Sequence, residues 1–76
     1  MKVKVKDMKP GDIFRCAYGD YDNIVEGVFE KAEPYEHGWT KIYVRFDKRP
    51  TTMYDDDCYE KAELEVIGHD ANYQDC

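Results

Sequence analysis

The chain has 76 residues, 42% of them hydrophobic and 37% charged, with a net charge of −6. That describes one small domain with a thin core, and it excludes a multidomain enzyme. No apolar run approaches the ~18–20 residues that span a bilayer, and so acidic a chain is not a nucleic-acid wrapper of the basic kind. Aromatic residues make up 14% of the chain, which argues against disorder.

Residues 2–6 read Lys-Val-Lys-Val-Lys. Strict alternation predicts a strand with Val3 and Val5 inward and three lysines outward. Pro10-Gly11 then predicts a tight turn, Pro presetting φ and Gly supplying φ > 0. Residues 13–18 form a second strand pattern, with Phe14 and Cys16 on one face. A loop over 19–23 is rich in residues that form Asx turns. Residues 24–32 make a third, less regular strand, in which Gly27 marks a bulge or a sharp bend. Residues 34–38 read as a loop.

Residues 39–46 carry the cleanest alternation in the chain. Thr40, Ile42, Val44 and Phe46 face one way; Trp39, Lys41, Tyr43 and Arg45 face the other. A loop over 47–52 holds Pro50. Residues 53–60 are ambiguous between a short strand and a helical turn. Leu64 and Val66 mark a last strand over 63–67. The expected core is Val3, Val5, Phe14, Ile42, Val44, Phe46, Leu64 and Val66. Residues 1–68 form the domain, and 69–76 a polar C-terminal tail.

Five or six short antiparallel strands with frequent turns indicate an all-β fold. The chain is short for a sandwich. A small SH3-like barrel is the economical solution, because closure removes exposed edges; an OB-type barrel is second. The stretch from Val3 to Phe14 is a strand, the turn Asp-Met-Lys-Pro-Gly-Asp and a second apolar strand. It resembles the opening of small SH3-like barrels found among bacteriophage accessory proteins. Residues 44–46, the acidic segment after them and 64–67 are similar to the way such domains close. The resemblance covers roughly half of the chain. It implies a binding module from a phage or mobile element, with no catalytic residues to carry over.

The cysteines are Cys16, Cys58 and Cys76, an odd number without a Cys-x-x-Cys pair. No basic segment followed by an apolar one opens the chain, so the expectation is a cytoplasmic protein with reduced thiols. His37, His69 and the cysteines have no zinc spacing. Asp55-Asp56-Asp57 lacks the glycine and terminal Glu of a calcium loop. Cys58 follows three carboxylates, surroundings that do not favour a thiolate nucleophile. The glycines are isolated and form no phosphate loop. No catalytic residue, metal or cofactor is therefore expected.

What remains is an outward row of two aromatics and two cations. Trp39, Lys41, Tyr43 and Arg45, rimmed by Tyr35 and His37, form the expected partner-binding surface, since Trp, Tyr and Arg dominate protein-interface hot spots. The reading is a non-catalytic protein–protein interaction module that binds and modulates a host or viral protein. A first alternative is a nucleic-acid-binding barrel using the same strand and Lys2, Lys4 and Lys6; the net charge disfavours it. A second is an acidic nucleic-acid mimic built from Asp20, Asp22, Asp55, Asp56, Asp57 and Glu60.

Overall fold

The computed structural model describes residues 1–18 and 23–73. They form strands β1 (Lys2–Lys4), β2 (Asp12–Tyr18), β3 (Asn23–Pro34), β4 (Thr40–Phe46), β5 (Arg49–Asp55) and β6 (Glu63–His69). Short 3-10 turns occupy Val5–Asp7 and Glu36–Gly38. The fold is all-β: one antiparallel sheet with strand order β1-β6-β2-β3-β4-β5. The hydrogen-bonded series ends at β1 on one side and β5 on the other, so no pairing of these two edges closes a barrel.

One core joins both ends of that series. Val5 follows β1 and Met53 lies in β5, yet both belong to a single buried cluster with Met8, Phe14, Phe29, Ile42, Val44, Ala62 and Leu64. A sheet whose two margins share a core must curl over itself. Val3, Phe46 and Val66 are half-buried against the cluster, so the expected core residues all contribute. Met8, Phe29, Met53 and Ala62 complete it.

Three local expectations change, and one ambiguity resolves. The strand over 2–6 ends at Lys4, and the chain tightens into a 3-10 turn that still buries Val5. The bulge lies between Phe29 and Lys31, where the β3–β4 register shifts, not at Gly27. Gly27 answers to packing instead. It pairs with Phe14, and a Cβ there would lie 2.7 Å from the Phe46 ring and 2.9 Å from the Phe14 ring. The loop over 47–52 is only a two-residue turn. Asp47 (φ 52°) and Lys48 (φ 67°) both adopt the left-handed region, as a type I′ hairpin turn requires. Pro50 then sits inside β5, which is tolerated because β5 is an edge strand. Residues 53–60 contain both expected features: β5 runs to Asp55, and Lys61 and Ala62 N–H groups then close a turn on the Cys58 carbonyl at 2.9 Å.

The Pro10-Gly11 turn forms as expected, with φ 96° at Gly11. The Gly11 N–H donates to the Phe29 carbonyl and its own carbonyl accepts from the Asp70 N–H, both at 2.8 Å. β6 continues to His69, past the expected end at 67, and Tyr73 packs close to Gly11. A Cβ on Gly11 would lie 3.0 Å from both His69 and Tyr73. Gly11→Val should therefore destabilise the fold by about 1–3 kcal/mol, through left-handed strain and this crowding. Denaturant unfolding checks it; an unchanged midpoint would contradict the turn's role.

Candidate functional site

Alternation places the side chains of β4 as the sequence indicates. Thr40, Ile42 and Val44 are buried, Lys41 and Tyr43 are half-buried and Arg45 is exposed. The outward side chains are held by partners within the chain. The Tyr43 hydroxyl donates to Glu33 Oε1 at 2.9 Å. Lys31 Nζ lies 4.6 Å and Lys41 Nζ 5.0 Å from the centroid of the Tyr43 ring. Lys41 Nζ also lies 5.8 Å from the Tyr35 centroid. Contact with Tyr43 is the main influence holding the Lys41 ammonium above its ordinary pKa. Arg45 Nε meets Glu30 Oε1 at 3.2 Å, and its guanidinium lies 5.9 Å from the Tyr73 centroid. These are cation–π and charge-assisted contacts of the kind that fix a sheet face.

Trp39 behaves differently. It precedes β4, capping the Glu36–Gly38 turn, and 44% of its surface is exposed. Its carbonyl accepts from the Tyr35 N–H at 2.9 Å, which closes the turn between β3 and β4. His37, at φ 60°, is exposed at the tip of that turn. Trp39 lines a cavity of about 530 Å³ that Lys41, Tyr43 and Arg45 do not reach. Ile42, Met53 and Leu64 give the cavity apolar surface, and Cys16 and Ala17 add to it from β2. Tyr54, Asp55 and Asp56 supply the margin at β5. β5 and the β2–β6 pair are not neighbours in the sheet, so the cavity lies where the curled sheet brings strands together without pairing them. Its volume is that of small-ligand and side-chain pockets.

Three exposed aromatics converge here. Trp39 and Tyr54 both line the cavity, and the Tyr54 ring stacks at 5.0 Å, tilted by 49°, on Tyr35. Tyr54 was not among the residues singled out from the sequence. Its signal was the Met53-Tyr54-Asp55 alternation, which the sequence left open between a short strand and a helical turn.

The acidic residues divide. Carboxylate oxygens of Asp55, Asp56 and Asp57 all lie within 4.8 Å of one another. The Asp57 N–H donates to Asp55 Oδ1 at 2.9 Å, and buried Thr40 Oγ1 donates to the Asp57 carbonyl at 2.8 Å. Three ligand oxygens fall short of the about six to eight that calcium takes. Burial, more than the neighbouring carboxylates, pushes the Asp55 carboxyl above its ordinary pKa. Among the described residues no Lys or Arg pairs with any of the three. Glu60 is engaged elsewhere, by Lys6 at 3.0 Å. Asp20 and Asp22 lie outside the described residues.

Cys16 and Cys58 are free thiols, and burial pushes Cys16 above its ordinary pKa; Cys76 lies outside the described residues. The basic strands β1 and β4 are separated in the sheet by β6, β2 and β3, so they share no ladder. Among the described residues no helix is long and apolar enough to cross a membrane. No protein-family model, no curated protein and no solved structure matches the chain.

The raised Asp55 carboxyl has a stability consequence. A carboxyl whose folded pKa exceeds its unfolded one favours the fold below the unfolded value and loses that contribution as pH rises through the folded value. Asp55→Asn keeps an acceptor for the Asp57 N–H and removes the ionisation. Its melting temperature should match or exceed that of the parent at pH 7, with the advantage vanishing toward pH 3. Thermal scans across that range check it; a variant less stable at pH 7 would contradict the burial argument.

Proposed function

We propose that the chain is a non-catalytic protein-interaction module of the SH3-like type, a phage-type accessory protein that binds and modulates a host or viral protein. The single observation that carries this reading is a group of aromatics, each 42–50% exposed: Trp39 and Tyr54 line one cavity, and Tyr35 packs on the Tyr54 ring. Exposed aromatics scattered singly need no explanation, but a contiguous set around a concavity is the composition of an interface hot spot. The barrel assignment is supported by the core shared between the two ends of the strand series.

The reading shifts the weight of the surface toward Trp39, Tyr35 and Tyr54. Lys41, Tyr43 and Arg45 already have partners in the chain and act as the frame that holds Tyr35 in place. His37 stands on the turn between two of the three aromatics. The basic strands β1 and β4 share no ladder, which favours this reading over one that needs adjacent cationic strands for single-stranded nucleic acid.

Partner capture from a bacterial lysate, read by mass spectrometry, tests the proposal. Trp39→Ala with Tyr54→Ala should abolish capture while circular dichroism and the melting curve stay native. Each buried aromatic of a hot spot is worth about 2 kcal/mol or more, so the pair should weaken binding by at least about a hundredfold. Undiminished capture by the folded double variant would overturn the reading. If replacement of Asp55, Asp56 and Asp57 by Asn alone abolished it, the acidic-mimic alternative would hold instead.

A further inference from the structure

The cavity joins three kinds of surface in one lining. Trp39 and Tyr54 supply aromatic faces, Asp55 and Asp56 supply carboxylates, and Ile42 and Leu64 supply apolar surface. Each suits a different part of one chemical group. Aromatic faces attract a cation through the ring quadrupole. Carboxylates give it charge-assisted hydrogen bonds. Apolar walls suit the methylene stem of a long basic side chain, which buries its stem and keeps its head at a polar rim.

Charge complementarity selects this occupant over an apolar one. No Lys or Arg among the described residues neutralises Asp55, Asp56 or Asp57. The cations of the adjacent outer face already have partners: Lys31 and Lys41 lie against the Tyr43 ring, Lys41 also 5.8 Å from the Tyr35 ring, and Arg45 against Glu30. An apolar occupant would desolvate Asp55 and Asp56 further with no compensating charge, which is costly. An acidic occupant would add repulsion.

The route of approach is given by β5. It ends the strand series, so its outer margin is unpaired. Pro50 blocks pairing near the start of β5, while residues 52–56, which line the cavity, lie beyond that block. An extended segment can therefore add along the cavity end of β5 and send alternate side chains toward the sheet.

We propose that the cavity beside β5 is a receptor for a lysine or arginine side chain presented by an extended segment of a partner protein. The inference rests on the reading of the Trp39–Tyr54 rim as the partner-binding surface and names the chemistry that rim accepts. Affinity falls as salt rises, because part of the attraction is between charges at the mouth of the cavity. The stem contributes a salt-insensitive remainder.

Blocked pentapeptides of sequence Thr-Val-X-Val-Thr, with X as Lys, Arg, norleucine or Glu, provide the probe. Trp39 is the chain's single tryptophan, so its fluorescence reads the cavity directly in the intact protein. The Lys and Arg peptides should shift Trp39 emission saturably. Norleucine, which keeps the stem and lacks the charge, should bind at least about tenfold more weakly, and Glu not at all. Asp55→Asn with Asp56→Asn should erase the preference for Lys over norleucine while the melting curve stays native. Equal binding of Lys and norleucine peptides, or binding of none, would overturn the inference. The underlying reading fails separately, only if the Trp39→Ala, Tyr54→Ala variant still captures its partner.

Discussion

Gly27 has no side chain, and the rings of Phe14 and Phe46 fill the space that one would occupy. Phe14 is its partner on β2, and Val28, the next residue, pairs with Arg45, the residue before Phe46 on β4. The three positions thus form one inward row across the middle of the sheet. The two rings meet edge to face over the glycine, with centroids 6.0 Å apart and planes at 66°. An inward side chain at the centre of the row would hold them apart. Without it the two rings can meet across β3, as a glycine in a strand allows, and the sheet can curl over them. A chain of this size has only one sheet with which to cover its own apolar face, so this curvature makes the core possible.

The same curl creates the site. It carries Met53 of β5 and Leu64 of β6 into one cluster, although these strands lie far apart in the hydrogen-bonded order. The strands converge without pairing, and the cavity fills the gap between them. Around its mouth the protein keeps features that do not favour stability. Trp39 and Tyr54 are exposed, and Asp55 is partly desolvated without a cation. On the outer face, by contrast, Glu33, Lys31, Lys41 and Tyr43 satisfy one another. Local rules are met where the surface is structural and broken where it is proposed to bind.

Legibility in the sequence followed the physics of each element. β4 was readable because its inward residues are all apolar or Thr and its outward ones are large or charged; period two decides both faces at once. The turn at Gly11 was readable because Pro-Gly has one strong conformational meaning. β5 was not. Its hairpin uses Asp47-Lys48, with no Gly or Asn to announce two left-handed residues, and Pro50 reads as a strand breaker unless the strand is known to be an edge. Ambiguity over 53–60, with 47–52 read as a loop, left Met53 and Tyr54 without a face, and with them the cavity. Gly27 was noticed as a bulge or a sharp bend; the bulge lies elsewhere, and the close packing was hidden because the rings that exclude a side chain there come from two other strands. Trp39 lies one residue before β4 on extended backbone, and what the sequence did not show is the cavity it lines with Tyr54.

The row of Phe14, Gly27 and Phe46 is the contact on which the curvature rests, and it is open to direct measurement. Within an ordinary strand, replacing Gly by Ala stabilises by reducing the freedom of the unfolded chain. Here Gly27→Ala should instead destabilise by about 1–3 kcal/mol in urea unfolding, since the methyl group would overlap two packed rings. In a Phe46→Leu background the same substitution should cost measurably less, the difference being the coupling between the two positions. A neutral or stabilising Gly27→Ala, or an identical cost in both backgrounds, would contradict the claim that the fold closes over this glycine.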